Sequence, residues 1–234
     1  MTFFISIFVI IKMDFPLYKN FCSVEEINRN FKKLSKLHMK KLRKLTDRSL
    51  LSLELNYDDY LRVIKITDYF SQSCRIKCAF NKNKTPLEFY NSNKKTISEF
   101  KTYDEIDTFF VENIKECNNF PLPIVVEVYR FFKAENVLDF SAGWGDRLIG
   151  AMAYGCRYTG VDPSNCMAKK YKEMIEFFGV EKKDYKVYKK PFEEFKMVKN
   201  FEKFDLVFTS PPFFDLEIYE KSPFQSIHKF TTIE

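Results

Sequence analysis

Histidine is almost missing from this sequence: His38 and His228 are the only two in 234 residues. Cys74 and Cys78 lie four apart and could form half of a zinc site, but nothing supplies the other half, so no metal site is expected. Long apolar stretches are missing too. The N-terminal run Phe3–Ile11 is nine residues, too short to cross a bilayer, so no membrane role is expected of it. It has neither a basic start nor a small-residue cleavage site and does not read as a secretory signal. Its Phe, Ile and Val content favours a buried strand, and Met13 just behind it is a second candidate start. Cysteine is sparse. The six in the chain are neither dense nor preceded by a signal, which points to reduced thiols in an intracellular, cytoplasmic protein. There is no internal repeat and no long low-complexity tract.

What is abundant is aromatic. The chain carries 27 Phe and 13 Tyr, and much of this Phe must be core, because loose Phe on a surface invites aggregation. Positive charge is the second excess. Residues 1–118 hold 21 Lys and Arg against 15 Asp and Glu, whereas residues 119–234 hold 17 of each, so all of the net +6 lies in the first half. A basic lobe beside a neutral one suits a protein that meets a polyanion with one part and does chemistry with the other.

Residues 13–118 read as a mostly helical, basic region. From Ser23 to about Thr46 the period is helical, and Ser23 with Glu26 resembles a capping box. Phe31, Leu34, Leu37, Leu42 and Leu45 share one side of that helix. Lys32, Lys33, Lys36, Lys40, Arg43 and Lys44 share the other, with no acid among them. Those cations are candidates for contacting nucleic-acid phosphates, the plainer alternative being a solvated face. Tyr57–Gln72 is a further helical segment, and Arg75–Phe80 alternates weakly as a strand would. Residues 81–86 form a loop, Thr102–Cys117 is helical, and Pro123 is placed to begin a helix running to Lys133.

After Ala134 the pattern changes. Asn136–Phe140, Tyr158–Val161, Tyr185–Tyr188 and Phe204–Thr209 read as short apolar strands. Helices over Arg147–Tyr154 and Asn165–Phe178 separate the first three. Strands alternating with helices predict an α/β domain with a parallel, doubly wound sheet over residues 119–234.

Three motifs sit at the ends of these strands. In the first, Val137–Asp146, a strand gives way to a turn holding Gly143 and Gly145, then to a helix. Glycine lets the backbone approach a ligand closely. The third glycine of a dinucleotide fingerprint is absent, since position 148 holds Leu, which disfavours a pyrophosphate. The second is Asp162, 19 residues beyond Gly143 at the end of the next strand, where a carboxylate can accept both ribose hydroxyls of a nucleoside. The plainer alternative is a helix-starting turn with Pro163. The third, Phe208-Thr-Ser-Pro-Pro-Phe213, decides the reading. Consecutive prolines fix φ and remove two N–H donors, so the carbonyls of Ser210 and Pro211 are presented rigidly beside the Ser210 hydroxyl. Such acceptors can grip the two N–H bonds of an exocyclic amino group, and Phe213 can stack on the ring that bears it.

Asp139-Phe-Ser-Ala-Gly-Trp-Gly145, Gly160-Val-Asp-Pro163 and Thr209-Ser-Pro-Pro-Phe213 together resemble the class I S-adenosyl-L-methionine-dependent amino-methyltransferases, among them the N6-adenine and N4-cytosine DNA methyltransferases. The longer strings at 143–148 and 209–219 are similar to methyltransferase-like proteins of phages and large DNA viruses. The resemblance covers residues 120–225 and implies a Rossmann-like methyltransferase sheet with S-adenosyl-L-methionine as cofactor. Asp139, Gly143 and Gly145 would contact the amino-acid end of that cofactor, with Phe140 and Ser141 beside them. Asp162 would hold its ribose, and Phe192 would border its adenine. Ser210, Pro211, Pro212 and Phe213 would hold the target amine. Ser210, where many relatives carry Asp or Asn, leans toward N4-cytosine-type enzymes and away from protein substrates, leaving both bases open. DNA is the expected partner. RNA or protein methylation, or an inactive nucleic-acid-binding remnant, are the alternatives. If the gene is viral, the cytoplasm is that of the host.

The family's sheet has seven strands. Only 21 residues follow Phe213, which leaves no room for a fifth strand and the closing hairpin, so the domain is expected to be C-terminally truncated. A fragment or split gene, a second chain completing the sheet, or pairing of Phe3–Ile11 with the fourth strand would each account for this.

Overall fold

The computed structural model describes residues 15–36, 62–81, 83–178, 181–196, 203–212 and 216–219. The apolar run Phe3–Ile11, the distal basic residues Lys40, Arg43 and Lys44, and Phe213 lie outside the described residues.

The Ser23 hydroxyl accepts the Glu26 N–H at 3.1 Å and so starts helix α1 (Val24–Ser35). Its apolar stripe faces inward. Ile27 and Leu34 are buried, and Phe31 stacks on Phe178 with ring centroids 3.9 Å apart. Helix α2 (Ile66–Arg75) follows, then the short strand β1 (Ala79–Phe80). The strand expected from Arg75 begins later, because Arg75 closes α2. There its guanidinium pairs with buried Asp68 at 2.8 Å and with Glu116.

The loop at 81–86 leads into a helix that sequence reasoning did not anticipate. Thr85 and Glu88 form a reciprocal capping box, and Pro86 occupies the first turn of α3 (Pro86–Ile97). A second such box, Thr102 with Glu105, opens α4 (Tyr103–Asn113). Helix α4 ends short of the expected Cys117. Ile114 is extended, and the chain beyond it delivers Cys117 to Cys78 in a disulfide. Helix α5 (Leu122–Phe132) starts after Pro121, with Pro123 in its first turn.

Four of the six cysteines are bonded, as Cys74–Cys166 and Cys78–Cys117. The expectation of reduced thiols is overturned for these four, while Cys22 and Cys156 are free and buried. The partners are 92 and 39 residues apart in sequence, and only packing of the helical half on the sheet half brings Cys74 and Cys166 to a Cα separation of 5.8 Å.

The second half is built around β2 (Asn136–Asp139), which is buried along its whole length. With β3 (Arg157–Val161), β4 (Tyr185–Tyr188) and β5 (Leu206–Val207) it forms a parallel sheet in the order β4-β3-β2-β5. Helix α6 (Asp146–Tyr154) joins β2 to β3, and α7 (Met167–Phe177) joins β3 to β4. The expected α/β architecture with a parallel sheet is present. The chain steps outward from β2 to β4, then returns to the far side of β2 at β5. The loops after β2 and β5 therefore diverge at the carboxyl ends of the strands, the place where open parallel sheets bind ligands.

β5 is shorter than the expected Phe204–Thr209. Its ladder runs only from the Asp205 N–H on the Asn136 carbonyl (3.1 Å) to the Phe208 N–H on the Leu138 carbonyl (3.0 Å). Past Ser210, two prolines have no N–H with which to extend it. Strand β6 (Glu217–Ile218) pairs antiparallel with β1, joining the end of the described chain to its helical half.

One hydrophobic cluster spans both halves. Ile27, Leu34 and Phe70 join Val125, Tyr129, Leu148, Ile149 and Met174 in it. Helix α1 packs on α6 and α2 on α7. A smaller cluster of Phe15, Leu17, Ile76, Ile97, Ile106 and Phe110 gathers α3 and α4. Among the described residues no helix is long and apolar enough to cross a membrane.

Candidate functional site

The three motifs lie at the carboxyl ends of β2, β3 and β5. Asp139, the last residue of β2, is 0% exposed. Its Oδ1 accepts the Ser141 N–H at 3.1 Å, and its Oδ2 accepts Arg147 Nε and the Tyr158 hydroxyl, both at 2.6 Å. A buried carboxylate persists only when paired in this way. Arg147 also donates through Nη2 to the Ser141 carbonyl and lies over the Phe120 ring at 5.7 Å. Burial, with Asp139 alongside, pushes the Tyr158 hydroxyl well above its ordinary pKa, so it remains a donor. Asp139 therefore shapes the turn above it from within the core.

That turn runs through Ser141–Gly145. The Ala142 N–H donates to the Val161 carbonyl and the Gly145 N–H to the Ala142 carbonyl, both at 3.1 Å. Gly143 and Gly145 have φ of +57° and +92°, where a side chain is strained. A Cβ at Gly145 would also stand 2.7 Å from Met174 Sδ.

Asp162, just past β3, grips this turn. Its Oδ2 accepts the Gly143 N–H at 2.8 Å and its Oδ1 the Ser164 N–H at 2.9 Å. The Tyr171 hydroxyl donates to the Gly143 carbonyl at 2.6 Å. Two motifs far apart in sequence are thus one structure. Beside it, Phe140 and Phe192 approach with ring centroids 4.9 Å apart at 31°, and Phe192 stays 39% exposed.

The third motif leaves the neighbouring strand. The Phe208 ring is held edge-on by Phe120 and Tyr129, at 5.6 and 5.7 Å. Ser210 and Pro212 are half-buried and Pro211 is exposed. Thr209 Oγ1 is buried with no hydrogen-bond partner among the described residues. At 216–219 the chain is held by β1, where the Asn81 N–H donates to the Leu216 carbonyl at 2.6 Å. Tyr219 then packs edge-on against Trp144 of the glycine turn at 5.4 Å, and its hydroxyl donates to Glu217.

Asp146 opens α6 beneath the turn. Its Oδ2 accepts the Phe120 N–H at 3.0 Å, while Oδ1 and the nearby Thr67 Oγ1 are buried without a well-formed hydrogen bond. Burial pushes its carboxyl up to about 6, against the lowering effect of Thr67 and Phe120.

Compared with models of protein families, with curated proteins and with solved structures, the chain matches none.

Of the residues singled out from sequence, Asp139, Phe140, Ser141, Gly143, Gly145, Asp162 and Phe192 gather at one edge of the sheet, with Ser210, Pro211 and Pro212 on the adjoining strand end. Lys32 and Lys33 lie on α1 and Lys36 caps its C-terminus, with Lys32 and Lys36 exposed. Arg147, Tyr158, Tyr171, Glu217 and Tyr219 were not singled out. Arg147 alone leaves a signal in the sequence, because a cation in the first turn of a helix opposes the helix dipole and calls for a dedicated anionic partner. Among the described residues no group of three or more His, Cys, Asp and Glu side chains is placed to hold a metal ion.

Proposed function

We propose that this chain is an S-adenosyl-L-methionine-dependent methyltransferase that modifies an exocyclic amino group of a nucleic-acid base, with DNA as the first candidate. The observation that carries the proposal is the union of Asp162 with the two-glycine turn, beside the Ser210-Pro-Pro loop on the next strand. The strand order matches the first four strands of a Rossmann-like sheet, and the glycine turn and the Ser210-Pro-Pro loop follow the two strands between which that order reverses.

The residues fit a nucleoside-bearing methyl donor. Asp162 Oδ2 accepts the Gly143 N–H and Oδ1 the Ser164 N–H, and a carboxylate at the end of this strand stands where the ribose of a bound nucleoside is held in open parallel sheets. The Phe140 and Phe192 rings offer an aromatic surface for an adenine. The left-handed glycines keep side chains off the turn. When bound, the donor supplies a methyl group on a sulfonium. The protein's contribution is position. The carbonyls of Ser210 and Pro211 and the Ser210 hydroxyl accept the N–H bonds of the target amine and aim its lone pair, and such alignment supplies much of the rate. No strong base is required, since the proton can leave to water after transfer. Phe213 would stack on the target base, and Lys32, Lys33, Lys36, Lys40, Arg43 and Lys44 would meet phosphates. Among the described residues β5 is paired on one side only and Val207 is 57% exposed, an edge that a second chain completing the sheet would cover.

The test is methyl transfer from labelled S-adenosyl-L-methionine to DNA, RNA and protein acceptors in parallel. Label is expected in DNA and is expected to fall sharply with Ser210→Ala while the donor still binds. Label in RNA or protein alone would move the acceptor. Salt-sensitive DNA binding without donor binding would favour the inactive remnant.

A further inference from the structure

The two disulfides are placed differently. Cys78 and Cys117 both belong to the helical half and are 0% and 1% exposed. Cys74 and Cys166 instead join the two halves. Cys74 lies buried in α2, whereas Cys166 is half-buried and is the bonded cysteine that an external thiol reaches first. Cys166 stands at the N-terminus of α7 and closes the loop that begins at Asp162. That loop is tied within itself: Asp162 Oδ1 accepts the Ser164 N–H at 2.9 Å, and Ser164 Oγ accepts the Met167 N–H at 3.3 Å. Asp162 Oδ2 in turn holds the Gly143 N–H of the glycine turn. A covalent bond at Cys166 therefore restrains the carboxylate that grips the turn. Opening that bond leaves the halves joined, because Phe31 stacks on Phe178 across the same junction and Phe70 lies edge-on to Phe177 at 5.1 Å.

We propose that Cys74–Cys166 is a thiol–disulfide switch for the Asp162–glycine-turn site, with Cys166 as its point of attack and a dithiol reductant as the reagent that opens it. One thiolate of the reductant attacks Cys166 Sγ, forms a mixed disulfide and expels Cys74 as a thiolate, which takes up a proton. The second thiolate of the reductant attacks its own sulfur in the mixed disulfide, and Cys166 leaves as a thiolate and is protonated. Two electrons and two protons pass to the protein, and the reductant ends as a disulfide. Closed, the bond holds the Asp162 loop against α2. Open, the loop and the turn it grips loosen together, while the buried Cys78–Cys117 bond stays intact. That the switch controls donor binding rests on the methyltransferase reading; that it moves the glycine turn does not.

The experiment reads Trp144, the only tryptophan of the chain, which stands between the two glycines of the turn. The oxidised full chain is treated with dilute dithiothreitol under native conditions, quenched with iodoacetamide and mapped by mass spectrometry. Cys74 and Cys166 are expected to be alkylated well before Cys78 and Cys117, with unchanged far-ultraviolet circular dichroism and a shifted Trp144 emission. The double variant Cys74→Ser, Cys166→Ser is expected to show the shifted emission without reductant. In titration calorimetry it is expected to bind S-adenosyl-L-methionine about tenfold more weakly than the oxidised wild type, the cost of fixing the backbone of even one freed residue again. If the variant does not fold, the partly reduced wild type supplies the same comparison. Alkylation of all four cysteines together, collapse of the circular dichroism, or an emission that stays fixed once Cys166 is alkylated overturns the switch. An affinity unchanged by opening overturns its control of the donor. A shifted emission in a chain whose oxidised form binds no S-adenosyl-L-methionine upholds the switch and overturns the methyltransferase reading.

Discussion

Asp146 offers a sharp test of how the glycine turn is anchored. Its carboxyl is pushed from the ordinary 3.8 up to about 6, chiefly by burial. A folded-state value above the unfolded one means that the protonated form favours folding. That contribution is fully present below about pH 4 and is lost as pH rises through about 6. The gap corresponds to about 3 kcal/mol at pH 8. Asp146 stands in the first turn of α6, where the helix N-terminus favours an anion by up to about 1 kcal/mol, so burial wins. Asn at this position keeps an oxygen for the Phe120 N–H and adds an amide that can donate to Thr67 Oγ1, which lacks a well-formed bond. Asp146→Asn is therefore expected to be more stable than the wild type by about 2 to 3 kcal/mol at pH 8 and nearly equal to it at pH 4. Urea unfolding of both proteins across that range, with disulfides intact, measures the difference, and every other titrating group cancels. A variant less stable than the wild type at pH 8 would refute the reasoning, because the ionised Asp146 would then be favourably bonded.

Other perturbations separate strain, pairing and covalent restraint. Gly145→Ala meets both a left-handed φ and Met174, whereas Gly155→Ala meets only the φ, with nothing within 4 Å. The first should therefore lose clearly more stability in denaturant titrations than the second, whose strain alone is worth about 1 kcal/mol. Arg147→Ala leaves Asp139 buried without its cation and should cost about 3 to 5 kcal/mol, against about 1 to 3 for Tyr158→Phe. Equal losses on chemical denaturation would mean that Arg147 is not the main support of Asp139. Reduction with dithiothreitol opens loops of 92 and 39 residues and should lower the melting temperature steeply, since each closure is worth about 4 to 5 kcal/mol in the chain-entropy model. An unchanged melting temperature would argue that the unfolded chain is already compact.

Much of the sheet was legible because the signals are local. Tyr185–Tyr188 and the strand ending at Asp139 are short apolar runs closed by turns, and β-branched and aromatic residues in such runs announce strands directly. The last strand was overread because its apolar run continues to Thr209, while the ladder depends on donors that the prolines lack. The helix at Pro86–Ile97 was missed although Thr85, Pro86 and Glu88 spell a capping box, since its interior is polar and carries little periodicity. The cysteine reading failed for a tertiary reason: no spacing links Cys74 to Cys166 until α2 lies on the start of α7. At the site, the glycines and Asp162 could be found in order along the chain. That Asp162 would bond Gly143, or that Asp139 would be enclosed by Arg147 and Tyr158, depends on the strand order and could not be read there.

The most direct measurement is titration calorimetry of the full chain with S-adenosyl-L-methionine, alongside Asp162→Ala. The proposed function predicts saturable binding at one site by the wild type and its loss in the variant, with both proteins unfolding cooperatively. No binding by a chain that unfolds cooperatively, or binding that Asp162→Ala leaves untouched, would contradict it.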